Sequence, residues 1–170
     1  MYHLQFKFLV LVVPAAPHRG CPNNTGETFA SKDDGTLWAW GNNPEGQLGQ
    51  NNVVQYSSPV QVGSDTTWHT AKINTSGNSY VLATKTDGTL WAWGKNSSGA
   101  LGQNQAEAQL GGTSSPVQIG SGTDWATGRF KISNVHPSGG AAIKTDGTLY
   151  IWGYNGLGTL GQNQANAQLP

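Results

Sequence analysis

The sequence predicts an all-β protein made of propeller blades, each blade a sheet of four antiparallel strands. Three observations carry that expectation. The phrase DGTLWAWG stands at Asp34–Gly41 and again at Asp87–Gly94, and returns as DGTLYIWG at Asp146–Gly153. In each copy Asp-Gly joins two β-prone runs, which is a strong hairpin signal because both residues tolerate the positive φ of a tight turn. The 24 Gly and 8 Pro argue against long helices, since they cost about 1 and 3 kcal/mol in a helix interior.

The hairpin phrases span 30–41, 81–94 and 142–153. In the middle copy Val81–Lys85 is the first strand and Thr89–Trp93 the second. A third strand begins at Pro59 (PVQV) and at Pro116 (PVQI), where a leading proline suits a strand start or an edge. A fourth begins near Trp68 or Trp125 and carries Ile73 or Ile132. Side chains alternate along a strand, so Leu90 and Ala92 face one way and Trp91 and Trp93 the other. Both faces are apolar and both must be covered, which stacked sheets provide. The recurring indoles are therefore expected in the core rather than on a binding platform.

The recurrence extends further. GQLGQN at Gly46–Asn51 returns as GALGQN at Gly99–Asn104 and GTLGQN at Gly158–Asn163, and SSPVQVG at Ser57–Gly63 returns as SSPVQIG at Ser114–Gly120. The copies of the phrase start 53 and 59 residues apart, and the extra residues fall in the linkers, as surface loops on a repeated core should. The chain divides into a non-repeat segment 1–23 and propeller repeats over 24–170, the last repeat cut short. The apolar run Phe6–Ala16 is too short to span a bilayer; it reads as a signal core, a first strand or non-native sequence. About ten strands make two and a half blades, whereas closed propellers have roughly 4–8. The chain is then a fragment of a longer propeller, which is favoured, or a subunit of a ring of several chains, or an open array.

The run Lys85–Asn104 (KTDGTLWAWGKNSSGALGQN), followed by SSPVQIG and a Trp-led strand, resembles the repeat of the regulator of chromosome condensation family over roughly Ala30–Pro170. The resemblance implies a β-propeller, seven-bladed in the family's archetype. The family's commoner pattern has a His shortly before the hairpin, where this chain has Tyr80. The uncharged, Asn- and Gln-rich style is similar to bacterial and phage members. The archetype exchanges guanine nucleotide on a small nuclear GTPase and docks on nucleosomes; no segment here matches the loops that do so, and fold does not carry function by itself.

Nine basic and nine acidic residues cancel, and charged residues are 11% of the chain, against about 25% in an average soluble protein. This composition excludes the basic footprint of a nucleic-acid ligand. One cysteine, Cys21, permits no internal disulfide. Gly156–Gly161 matches the spacing of a dinucleotide loop, but its sister copies lack the first Gly and no βαβ unit surrounds it. Asp34, Asp87 and Asp146 are explained by turns, no two carboxylates pair as in a glycosidase, and the four His show no metal-ligand spacing. Lys32, Lys85 and Lys144 recur before the turn, where a solvated strand end is expected, with a ring of cations on one propeller face as the alternative.

No catalytic, cofactor or metal residue is assigned, and no enzyme activity is expected. Binding or scaffolding through loops is the expected function, with a protein or a glycan as partner. A cell-surface or phage-fibre component and a nucleotide exchange factor are the alternatives, and the location stays open between secreted or virion-associated and cytoplasmic. The variable linkers Asn51–Ser58, Asn104–Ser115 and Ser133–Gly140 are the candidate contact surface, with Gln55, Tyr56, Glu107, Gln109 and His136 as candidate contacts.

Overall fold

A computed structural model of the chain describes residues 26–76, 79–104, 111–127, 132–136, 139–156 and 158–161. The segment 1–23 and the readings made of it lie outside these residues. Ten strands follow in order: β1 Glu27–Ser31, β2 Leu37–Gly41, β3 Tyr56–Gln61, β4 Trp68–Ser76, β5 Tyr80–Lys85, β6 Leu90–Lys95, β7 Gly112–Gln118, β8 Ile132–His136, β9 Gly139–Ile143 and β10 Leu149–Gly153. They build three antiparallel sheets, ordered β1-β2-β3, β4-β5-β6-β7 and β10-β9-β8. Among the described residues the middle sheet is a full four-stranded blade and its neighbours have three strands each.

The sequence repeat and the blade are out of phase. Along the chain the Trp-led strand follows the PVQ strand of its own copy, yet β4 joins the next sheet, against β5. The linker between β3 and β4 makes the crossing by running over the Asp-Gly turn of the sheet it leaves. There the Trp68 amide donates to the Gly35 carbonyl at 3.1 Å, and the Trp125 amide does the same to Gly88 at 3.0 Å. The PVQ strands also begin earlier than expected, at Tyr56 and Gly112. Their pairing shifts between Ala39 and Gly41, and between Ala92 and Gly94. Pro59 and Pro116 lie on the β3 and β7 side of these irregularities, where a missing N–H takes no hydrogen bond from a regular ladder.

The hairpin phrase is closed by its own side chains. Asp87 Oδ1 accepts from the Thr89 amide at 3.0 Å and from the Thr89 hydroxyl at 2.7 Å, and Trp91 Nε1 donates to that hydroxyl oxygen at 2.7 Å. Asp34, Thr36 and Trp38 repeat the arrangement, and Asp146 accepts from the Thr148 amide at 2.8 Å. Gly35 and Gly88 have φ of +80°. Each also faces the crossing linker so closely that a Cβ would stand 1.9 Å from the Thr66 carbonyl oxygen or 2.1 Å from that of Thr123.

The register sets the faces. Val81 pairs with Trp93 and Ala83 with Trp91, so these four look toward the first sheet. They meet Phe29, Leu37, Ala39, Leu48 and Val62 in one buried cluster. On the opposite face Tyr80, Leu82, Leu90 and Ala92 pack with Leu101, Trp125, Ala142 and Trp152 between the second and third sheets. The rings meet edge to face: Trp93 lies 6.4 Å from Phe29 and 5.7 Å from Trp68, and Trp68 lies 6.1 Å from Trp91. The second indole of the phrase also ties its sheet to the one before. Trp93 Nε1 donates to the Gln47 carbonyl at 2.7 Å and Trp152 Nε1 to that of Ala100 at 2.8 Å. Trp68, Trp93 and Trp125 are buried, which places them between sheets as expected.

Candidate functional site

The register sorts the loops between two ends of the sheets. Gly41 lies beside Glu27, Gly94 beside Tyr80, and His136 and Gly153 both beside Gly139. The connections after β2 and β6, and the one from β8 to β9, therefore open onto one end. The candidate linkers Asn51–Ser58, Asn104–Ser115 and Ser133–Gly140 are loops only in part: Tyr56–Ser58 belong to β3, Gly112–Ser115 to β7, Ser133–His136 to β8 and Gly139–Gly140 to β9, and 105–110 and 137–138 lie outside the described residues. The three Asp-Gly turns lie at the other end.

The connection from β2 to β3 is built on a buried amide that the sequence reading passed over. Asn43 donates from Nδ2 to the carbonyls of Asn52 (2.9 Å) and Val54 (3.0 Å) and accepts at Oδ1 from the Leu48 amide (2.9 Å). Asn52 Oδ1 accepts from the Val54 amide at 2.8 Å, and its Nδ2 donates to the Tyr56 hydroxyl at 3.0 Å. Gln50 Nε2 donates across to the Gln61 carbonyl at 3.0 Å. With the carbonyls of Asn52 and Val54 and the Val54 amide held from within, the loop holds out two neighbouring apolar side chains, Val53 at 61% and Val54 at 57% exposure. Asn96 and Asn155 accept from Leu101 and Leu160 in the same way, and Gln103 spans to the Gln118 carbonyl as Gln50 does to Gln61. The WGxN Asn and the LGQN Gln are thus loop staples. Their recurrence in every copy was the signal that could have identified them.

The candidate contacts divide accordingly. Gln55 is exposed in this loop beside the two valines. Tyr56 is half-buried against the first core cluster and receives the Asn52 hydrogen bond, so it positions the loop. His136 closes β8 opposite Gly139, at the same end of the sheets. Glu107 and Gln109 lie outside the described residues.

At the turn end, Lys85 overturns the expectation of a solvated strand end. It is 6% exposed; its ammonium stands 3.7 Å from the Trp91 ring centre and 4.9 Å from that of Trp68, and it pairs with Asp65 at 2.7 Å. Lys144 lies 5.6 Å from the Trp125 ring centre and 5.4 Å from that of Tyr150, and pairs with Asp124 at 3.0 Å. The hydrogen bond that the ammonium donates to Asp124 raises the Lys144 pKa. Lys32 stands 4.6 Å from the Trp38 ring centre. Asp65 and Asp124 are not equivalent in the repeat: Asp65 stands where the next copy has Gly122, and Asp124 where the earlier copy has Thr67. The carboxylate moves by two residues and the ion pair persists. Lys85 and Lys144 brace their hairpins against Trp68 and Trp125.

Among the described residues no group of three His, Cys, Asp or Glu could hold a metal ion, and no helix is long and apolar enough to cross a membrane. The family model for the regulator of chromosome condensation (RCC1) repeat matches residues 34–83 and 87–130, more than half of the chain. The chain belongs to the RCC1 repeat family. The RCC1 repeats here are 27% identical over 148 residues to the human E3 ubiquitin-protein ligase HERC2, covering 86% of this chain and 3% of that protein. They are 30% identical over 126 residues to the ultraviolet-B receptor UVR8 of Arabidopsis thaliana, covering 73% of this chain and 26% of the receptor. Among solved structures, human WBSCR16 superposes with a TM-score of 0.62 at 22% identity, over 75% of this chain and 31% of that one. Yeast RCC1 (Prp20), solved with Kap60 bound, gives 0.60 at 19%, over 76% and 30%. The chain thus spans less than a third of each of these relatives. The structural likeness shows the RCC1 propeller fold.

Proposed function

We propose that this chain is a non-enzymatic protein-binding propeller module, and that its partner docks on the end of the sheets where Val53, Val54 and Gln55 stand. The observation that supports this reading is the stapled loop. Two neighbouring valines are kept in water by a backbone that the Asn43 and Asn52 side chains hold on either side of Val53, so little ordering remains to be done on binding. An apolar centre rimmed by Asn, Gln and Ser matches the anatomy of a protein contact. The relative yeast RCC1, solved with a protein partner, supports a protein over a glycan as ligand.

A photoreactive amino acid in place of Val54, irradiated in lysate of the source organism, should yield one discrete cross-linked protein. The product should vanish when Val53→Asp is added. The same reagent in place of Asp33, at the turn end, should yield none. Equal labelling from Asp33, or labelling indifferent to Val53→Asp, defeats the proposal.

A further inference from the structure

We propose, on the footing of that docking reading, that the surface is shared by two sheets: the partner that covers Val53 and Val54 also covers the start of β7, and it meets both with an uncharged face. The loop after β2 belongs to the first sheet but leans on the second. The Asn51 amide donates to the Ser114 carbonyl at 2.7 Å, and the Ser115 hydroxyl donates to Asn51 Oδ1 at 3.2 Å. A Cβ on Gly46 would stand 2.6 Å from both Cα and Cβ of Ser114. Asn51 turns the chain here with a φ of +57°, a left-handed conformation that Asn adopts more readily than most residues. The start of β7 is closed on itself as well: Thr113 Oγ1 donates to the Ser115 carbonyl at 2.9 Å and accepts from the Ser115 amide at 3.3 Å. Two steps of chain separate Asn51 from Val53, a reach of at most about 7 Å. A protein contact covers about 800 Å² of each partner, a patch roughly 30 Å across, so a contact centred on the valines extends onto β7.

The two strips carry no charge. Asn51–Gln61 and Gly111–Gln118 contain only Asn, Gln, Ser, Thr, Tyr, Gly, Pro and Val. At the same end Glu45, from the loop of the first sheet, and Lys95, from the end of β6, pair with each other at 3.5 Å, and Glu27 is half-buried beside Gly41. A charged group set down on the strips loses its water and finds no counter-charge in exchange. The partner that fits offers apolar side chains to the valines and amide or hydroxyl groups to Asn51, Ser115 and their neighbours. Such a surface exists only where these two copies of the repeat stand side by side, because the valines come from one linker and Thr113–Ser115 from the next.

The test places a photoreactive amino acid at Val54 and, in a second preparation, at Thr113, each irradiated in lysate of the source organism. Both positions are expected to capture the same protein, identified by mass spectrometry, in yields that do not change between low and high salt. Thr113→Lys is expected to cut the Val54 product by about tenfold or more; Ser115→Lys takes its place if that variant does not unfold cooperatively. A Val54 product that the lysine leaves intact, a different protein captured at Thr113, or yields that fall as salt rises would each overturn the shared, uncharged contact and leave the docking reading standing. No product from Val54 at all defeats the docking reading, and the shared contact with it.

Discussion

Gly88 and Gly147 occupy the same place in the same phrase, with φ of +80° and +90°, but only Gly88 is covered by a linker. Alanine at either position forces a side chain into left-handed backbone, at about 1–2 kcal/mol. At Gly147 nothing is added, because no atom lies within 4 Å of the new Cβ. At Gly88 the Cβ would stand 2.1 Å from the Thr123 carbonyl oxygen, more than 1 Å inside the roughly 3.3 Å of a close C···O approach. The linker must retreat, straining the hydrogen bond from Trp125 to Gly88. Overpacking of this kind costs about 1–3 kcal/mol and a weakened hydrogen bond about 1 more. We expect Gly147→Ala to lose about 1–2 kcal/mol and Gly88→Ala about 3–6 kcal/mol. Equilibrium unfolding in urea, followed by tryptophan emission, resolves this: with a slope of about 1–3 kcal/mol per molar the midpoints should differ by about 1 M. Equal losses would show that the linker does not rest on the turn, and the account of the sheet crossing would fail with it.

Lys85→Met keeps the stem and removes the charge held between Trp68, Trp91 and Asp65, and should cost about 1–2 kcal/mol, little of it recovered in high salt. Lys144→Met, at a more open pair, should cost less; the reverse order in urea midpoints would contradict the burial argument. Asp34 and Asp87 are held below the ordinary aspartate value of 3.8 first by the hydroxyl of the following Thr and then by its amide, and Asp146 first by the Thr148 amide. A depressed folded value means the contribution is whole above 3.8 and is lost as pH falls through the lower folded values. The melting temperature should therefore be level above about pH 5 and decline below about pH 4. Asp87→Asn, which keeps an acceptor but does not titrate, should flatten that decline; an unchanged acid limb would remove the carboxylates as its cause.

The strand pairs, the hairpin turns and the burial of Trp68, Trp93 and Trp125 were legible because each rests on residues adjacent in sequence: Asp-Gly for the turn, alternation for the faces; Trp38, Trp40, Trp91 and Trp152 are half-buried. What stayed hidden depends on which sheet a strand joins. Periodicity places Trp68 on a strand but does not say that the strand pairs with Lys85 rather than with β3. The burial of Lys85 is a consequence of that pairing, so a cation before a polar turn read as solvated. The Asn of WGxN was visible as a recurrence but had no local reason, since its partners Asn52 and Val54 are 9 and 11 residues away. Of the candidate contacts, Gln55 and Tyr56 were separated only by coordinates, one turned to water and the other to the core.

The phase offset between repeat and blade also decides where specificity can reside. In the middle copy the repeated residues are already engaged: Asp87 and Thr89 close the turn, Leu90 and Ala92 receive the neighbouring sheet, Trp93 inserts between sheets, and Asn96 and Gln103 staple the loop. Changing any of them disturbs two sheets at once, because each copy contributes strands to both. The residues left free to differ are those the staples hold out. Asn43 fixes the backbone at Asn52 and Val54 without touching the side chain of Val54, and the corresponding linker of the next copy, Asn104–Ser115, is longer and unrelated in its middle. One scaffold position therefore presents unlike surfaces in successive blades, and a partner reading this end meets side chains that the repeat does not dictate.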